Sequence, residues 1–395
     1  MQQALDQLFE EAISNGGLRG VSAIACNSEG NFFEGAYGRH GVDTSTPSMS
    51  LDTVGAIMSM TKALTGAAAM QLVESGRLEL DQPAGSVCPP LADVQVFTGY
   101  GANGEALLRP PARPVTLRHL LTHTSGFVYE IWNKPFRELL AKTGLPSIGT
   151  RRNASLEVPL MFDPGERWEY GIGIDWVGQI VEAVSGMTLG EYFAEHITGP
   201  LGMSDTAFRP SAAMTARMAP VLVRVEGELI EPPTPKKKTG EPPPEFEMGG
   251  GGLLSTARDY ARFLRMMLNQ GTLEGATVLK PQTVALMSQN QMGDLRVTGL
   301  PTADPMLSND AEFFPGDAKS WGLTFQVSED PGFTGRPQGT LMWAGLRNCY
   351  YWIDPKNDIA GLFFTQVLPF ADAACLDTYY QFESRIYEAV RPQSP

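Results

Sequence analysis

Ser59 and Lys62 stand three residues apart in Gly55-Ala56-Ile57-Met58-Ser59-Met60-Thr61-Lys62, which on a helix puts a hydroxyl and an amine on one face. A serine hydroxyl is a weak nucleophile until a base beside it takes its proton. A lysine becomes such a base when burial pushes its pKa down. The run after Ser59 holds good helix formers, with Ala63, Ala67, Met70 and Val73 toward one side and Gly76 where a C-cap glycine belongs. Ser59 is thus expected near a helix start, where free backbone N–H groups and the macrodipole favour negative charge on oxygen. A capping serine followed by a solvated lysine has the same spelling, so the tetrad alone does not decide.

Two further stretches bear on the same chemistry. In Asp163-Pro164-Gly165-Glu166-Arg167-Trp168-Glu169-Tyr170-Gly171-Ile172, Tyr170 falls in a loop ahead of a helix, where a phenol can face a cleft. In Trp343-Ala344-Gly345-Leu346, a strand carrying Gly345 lets a substrate lie against bare backbone, and the next N–H, that of Leu346, can meet an oxyanion. A Ser-His-Asp triad is the rival arrangement. The four histidines are His40, His119, His123 and His196, and no Gly-x-Ser-x-Gly elbow occurs. His123, two residues from Ser125, reads as a structural histidine bonded to its own turn. No cluster has metal-ligand spacing, so no metal or cofactor is implied.

The elements that must hold these groups fall into three parts. Leu5, Leu8, Phe9, Ala12 and Ile13 mark a first helix, and strands are expected over Val21–Cys26 and Asn31–Tyr37 around an Asn27-Ser28-Glu29-Gly30 turn. From about 80 to 245 the texture is Pro- and Gly-rich and reads as mostly helical. A short helix is expected over Thr116–Ser125 before Gly126, a longer one from Asp175 to Gly186, and a capping box at Thr188-Leu189-Gly190-Glu191. The Gly249–Gly252 run matches neither the P-loop nor the dinucleotide pattern, and reads as a tight passage before a helix capped near Ser255 and Thr256. Strands follow over Leu323–Val327, Thr340–Trp343, Cys349–Ile353 and Ile359–Thr365, and a helix spans Ala373–Val390. The expected fold is α+β: one antiparallel sheet from both ends of the chain, flanked by terminal helices, with an inserted helical domain. The division is 1–80 with 245–395 against 81–244, the Ser59 helix lying between.

At 395 residues the chain can bury a large core, and its net charge of −14 argues against nucleic-acid or anionic-membrane partners. The Lys236-Lys237-Lys238 run reads as a solvated loop. Four scattered cysteines, without CxxC, fit reduced thiols. No signal peptide or bilayer-length apolar run is seen, so the expected compartment is the cytoplasm. Oligomeric state is not readable.

Ser59-Met60-Thr61-Lys62, Tyr170 and Trp343-Ala344-Gly345 stand in the order and approximate spacing of the three motifs of class C β-lactamase-like serine hydrolases. Leu121-Thr122-His123-Thr124-Ser125-Gly126 and Gly199-Pro200-Leu201-Gly202-Met203 resemble stretches common in that group, and the similarity covers nearly the whole chain. Within it the sequence most resembles the family VIII carboxylesterases. The resemblance implies a β-lactamase/DD-peptidase-like fold, Ser59 as nucleophile, Lys62 with Tyr170 as a coupled base, and the N–H groups of Ser59 and Leu346 as oxyanion donors. Trp343 would form part of the pocket wall. Two departures bear on substrate. Ile172 stands where class C β-lactamases carry the Asn of Tyr-x-Asn, and Trp343 replaces the Lys of Lys-Thr-Gly. Loss of that cation costs about 1.5–3 kcal/mol of contact with an anionic substrate, although Arg347 lies near enough to substitute. The implied activity is hydrolysis of small, short-chain neutral esters through an acyl-Ser59 intermediate. A β-lactamase or D-Ala-D-Ala peptidase, or an acyltransferase with the same acyl-enzyme, is the alternative.

Overall fold

The computed structural model describes residues 1–233 and 243–390; the Lys236-Lys237-Lys238 run lies outside them. At its centre is a seven-stranded antiparallel sheet of β1 (Gly20–Cys26), β2 (Asn31–Gly38), β3 (Lys319–Trp321), β4 (Gln326–Ser328), β5 (Leu341–Gly345), β6 (Cys349–Asp354) and β7 (Ile359–Phe364). The order across it is β3-β4-β5-β6-β7-β1-β2, so the two ends of the chain meet where Ser22 pairs with Phe364 and Cys26 with Ala360.

Successive side chains on a strand point to opposite faces, and β6 shows what each face meets. Tyr350 stacks on Tyr379 of α6 (Ala373–Val390) at 4.8 Å between ring centroids, and Trp352 meets Phe382 of the same helix at 5.5 Å. Tyr351, between them, meets Tyr260 of α5 (Ala257–Leu268) at 5.4 Å on the opposite face. Both faces are covered, which is why β6 and β7 are apolar almost throughout. The amino-terminal helix α1 (Gln2–Ser14) lies beside α6, with Phe9 stacked on Tyr37 and packed against Phe382.

The helix after Ser59, α2 (Thr61–Glu74), differs from expectation. It is buried all round from Thr61 to Met70 rather than along one side. Its small residues permit this close packing: a Cβ on Gly66 would come within 2.3 Å of the Thr324 side chain, and Thr65 Oγ1 donates to the Gly249 carbonyl at 2.7 Å. On its other side lies α4 (Gly173–Ser185).

The middle of the chain carries more than the helices expected of it. Besides short helices it holds two hairpins, Val96–Tyr100 with Ala106–Arg109 and Leu222–Val225 with Glu228–Ile230. Glu226 and Gly227 both take positive φ, the geometry of a two-residue hairpin turn. The expected Thr116–Ser125 helix is only α3 (Leu117–Leu121), capped by Thr116 and left at His123, whose φ is +56°. Of the expected strand over Leu323–Val327, Gln326 and Val327 lie in β4, while Leu323–Phe325 form a bend between β3 and β4, closed by Gly322 N–H donating to the Phe325 carbonyl.

Candidate active site

Ser59 lies in a single 3₁₀ turn, Met58–Met60, that runs directly into α2. The turn is fixed from several sides. Gly55 pairs with Ser255, Ile57 N–H donates to the Leu253 carbonyl at 3.1 Å, and Tyr260 donates to the Met60 carbonyl at 3.0 Å. Met58, just before Ser59, has φ +49°, a left-handed conformation that costs a non-glycine residue roughly 1–2 kcal/mol. The end of β5 presses on the same turn: a Cβ on Gly345 would stand 2.3 Å from the Ile57 carbonyl oxygen. Only glycine allows that approach, and it brings Leu346 up beside the Ser59 turn.

One helical turn on, Lys62 is fully buried, and its Nζ donates to Ser59 Oγ at 3.2 Å, to Tyr129 at 3.0 Å and to the Gly250 carbonyl at 2.6 Å. Asp175, in the first turn of α4, accepts from Gly250 N–H at 2.8 Å and from the Tyr129 hydroxyl at 3.4 Å. Burial lowers the Lys62 amine to about 7, against the pull of the Asp175 carboxylate. Burial also raises Asp175 to about 6, against the pull of Lys62. Each group therefore favours the charged form of the other against burial, and the two titrate together.

Tyr170 sits opposite, its ring centroid 4.8 Å from Lys62 Nζ. Trp343 donates its indole N–H to the phenol oxygen at 2.9 Å; an indole can only donate, so the phenol proton is left free for another acceptor. Burial raises the Tyr170 phenol above its ordinary range, and the hydrogen-bonding reach of Ser59 and Trp343 offsets only part of that. Trp343, expected in the pocket wall, holds the phenol. Ile172 is buried at the N-cap of α4. Arg347 is tied to Gln366 Oε1 at 2.9 Å, and Gln366 in turn bonds both the N–H and the carbonyl of Ala56. The His123 ring does not bond its own turn as expected; its Nδ1 accepts from Gly171 N–H at 3.4 Å.

Beside Tyr170 opens a cleft of about 330 Å³, walled by Trp132, Trp168, Leu295, Leu300 and Pro301, with Arg167, Glu169 and Arg296 also lining it. A second cavity of about 280 Å³ lies by Trp176 and touches none of these groups. Among the described residues no group of three or more His, Cys, Asp or Glu is placed to hold a metal, and no helix is long and apolar enough to cross a membrane.

A family profile described as Beta-lactamase matches residues 5–385. The chain belongs to the Beta-lactamase family. Its fold is that of the β-lactamases and penicillin-binding proteins, and it is an enzyme of the serine hydrolase type in a group that works through acyl-enzymes. It is 32% identical to a lovastatin esterase of Penicillium rubens over 97% of this chain and 98% of the relative. It is 31% identical to a monacolin J acid methylbutanoyltransferase of Aspergillus terreus over 97% of this chain and 95% of that one. Unliganded simvastatin synthase from Aspergillus terreus superposes with a TM-score of 0.85 at 29% identity, covering 99% of each chain.

The residues that sequence reasoning missed are Tyr129, Asp175 and the carbonyl of Gly250. Asp175 left one signal: it is an acid inside the apolar run Ile172-Gly173-Ile174-Asp175-Trp176-Val177, an unusual place unless it is paired. The tightness of the Gly249–Gly252 passage has a cause, since a Cβ on Gly250 would lie 2.3 Å from Asp175 Oδ2.

Proposed function

We propose that the chain is a carboxylesterase of the family VIII kind, hydrolysing neutral esters of short acyl chains through an acyl-Ser59 intermediate. The observation that carries this reading is a buried amine, neutral from about pH 7 upward, 3.2 Å from the Ser59 hydroxyl. A neutral amine has two N–H donors and one lone pair. The Gly250 carbonyl and Tyr129 take the two donors, which leaves the lone pair for the serine proton.

Ser59 Oγ attacks the ester carbonyl carbon as Lys62 takes its proton, with Tyr170 coupled to the transfer. The N–H groups of Ser59 and Leu346 receive the oxyanion; loss of one such donor typically costs about 10²–10³ in rate. The intermediate collapses, and the leaving alkoxide takes a proton through Tyr170. Water then attacks acyl-Ser59 under the same base and releases the acid. The groups come from both parts of the chain, Ser59, Gly250 and Trp343 from one and Tyr129, Tyr170 and Asp175 from the other, which supports a site between two domains. The free, buried state of all four cysteines supports a reducing cytoplasm.

A relative named as a lovastatin esterase supports ester cleavage, and one named as a methylbutanoyltransferase supports a short acyl group. Trp343 and Ile172 offer nothing to the carboxylate and amide of a β-lactam, and Arg347 is already engaged by Gln366. The second reading is transfer of the same acyl group to an alcohol. The transferase names and the indole-walled cleft beside Tyr170, which suits a bulky alcohol, favour it.

Labelling with a fluorophosphonate followed by mass spectrometry tests the nucleophile. The adduct is expected on Ser59, and Ser59→Ala should abolish both the adduct and nitrophenyl butyrate turnover. A chromogenic cephalosporin should turn over far more slowly than that ester. An adduct on another serine, or the reverse preference, refutes the assignment. Added alcohol diverting the acyl group from acid to new ester would favour transfer.

A further inference from the structure

We propose that His123 is the positioning residue for Tyr170, clamping the peptide units on either side of it. The inference rests on the catalytic reading of Tyr170 given above. The His123 carbonyl accepts from Glu169 N–H at 3.0 Å, and its Nδ1 accepts from Gly171 N–H at 3.4 Å. One residue thus holds the backbone immediately before and immediately after the phenol. Between these contacts, the Tyr170 carbonyl accepts from Tyr129 N–H at 3.3 Å, so the phenol-bearing loop is fixed at three successive residues. The imidazole also packs on the phenol ring itself, with centroids 4.6 Å apart, and on Trp321 at 5.0 Å.

This arrangement explains two features of His123 that a packing role alone does not. First, it occupies a left-handed conformation at φ +56°, where glycine or asparagine would sit at less cost. That turn directs its carbonyl and its ring toward the same loop. Second, Nδ1 must carry a lone pair to accept from Gly171, so the ring proton is on Nε2. Nε2 is buried without a hydrogen-bond partner among the described residues. A histidine with its lone pair engaged and its proton facing no acceptor cannot take the Ser59 proton. It acts through Tyr170 and is not itself a catalytic residue.

The test compares His123→Gly, which removes the ring without backbone strain, with His123→Asn, which tolerates the left-handed turn and keeps an acceptor near the Nδ1 position. Steady-state hydrolysis of nitrophenyl butyrate and amide hydrogen exchange at Glu169 and Gly171 are the readouts. His123→Gly is expected to lower kcat about 10²-fold, the scale of a small misplacement of a catalytic group, with KM little changed. It should also speed exchange at Gly171 more than at Glu169, whose acceptor is a backbone carbonyl that every variant keeps, and His123→Asn should restore most of kcat and of the Gly171 protection. His123→Gly combined with Tyr170→Phe should be no slower than Tyr170→Phe alone. Unchanged kcat, unchanged exchange, or losses that multiply in the double variant would overturn the proposal. Full activity in Tyr170→Phe would instead remove the role given to the phenol, while the exchange data still report the clamp. If His123→Gly does not fold, His123→Ser, too short to reach Gly171, replaces it with the same expectations.

Discussion

Asp175→Asn should move the acid limb of the activity profile toward lower pH. The wild-type limb is set by Lys62, which must lose its proton to act as base, so activity is expected to rise as pH climbs through about 7. Asp175 favours the ammonium form, and removing its charge disfavours that form. The bonds from Lys62 Nζ to Tyr129 and from Tyr129 to Asp175, 3.0 and 3.4 Å, laid end to end bound the separation at about 6.4 Å. At that distance and an effective dielectric of about 20, the attraction is roughly 2.6 kcal/mol. That corresponds to about two pH units. The amide keeps an oxygen for Gly250 N–H, and its NH2 stands where the second carboxylate oxygen met Tyr129 and can donate to that phenol oxygen, so the geometry should survive. The assay is kcat/KM for nitrophenyl butyrate between pH 4.5 and 9, corrected for spontaneous hydrolysis. The limb should fall from near 7 to near 5, and the plateau should drop because the amine is a weaker base. A limb that stays at 7 or moves upward would refute the coupling.

Lys62→Arg should abolish turnover while keeping the positive charge, since a guanidinium does not deprotonate; retained burst or steady-state release of nitrophenol would contradict the base assignment. Gly345→Ala should cost both stability and activity, because the new methyl meets the Ile57 carbonyl oxygen at 2.3 Å. Thermal melting and kcat should fall together, and a variant with normal melting and normal kcat would show that β5 need not press on the Ser59 turn.

Those groups that lie close along the chain were legible in its residues. Ser59 and Lys62 are one helical turn apart, and the helix-start signal is local. The hairpin around Asn27–Gly30 and the helix Ala373–Val390 have patterns contained within their own spans. Tyr170 and Trp343 needed the ordered motifs of the family, because nothing local joins an indole to a phenol 173 residues away. Tyr129, Asp175 and Gly250 were not legible, since their meeting at Lys62 is a product of packing between distant segments. The one-sided reading of α2 failed for a related reason: alanine and glycine look the same whether a helix has one neighbour or is surrounded. The sequence points His123 to its own turn because the partner of its ring, Gly171, lies 48 residues away.

The order of the sheet bears on when the protein can first react. β5, which presses on the Ser59 turn, lies well past residue 300, and β1, paired on one side with β2, finds its second neighbour only in β7. A growing polypeptide therefore carries its serine and lysine for most of its synthesis with no phenol-holding indole and no glycine edge beside them. On the reading of Ser59 as nucleophile, reactivity would come only when contacts of very long sequence separation close, and such closure is slow.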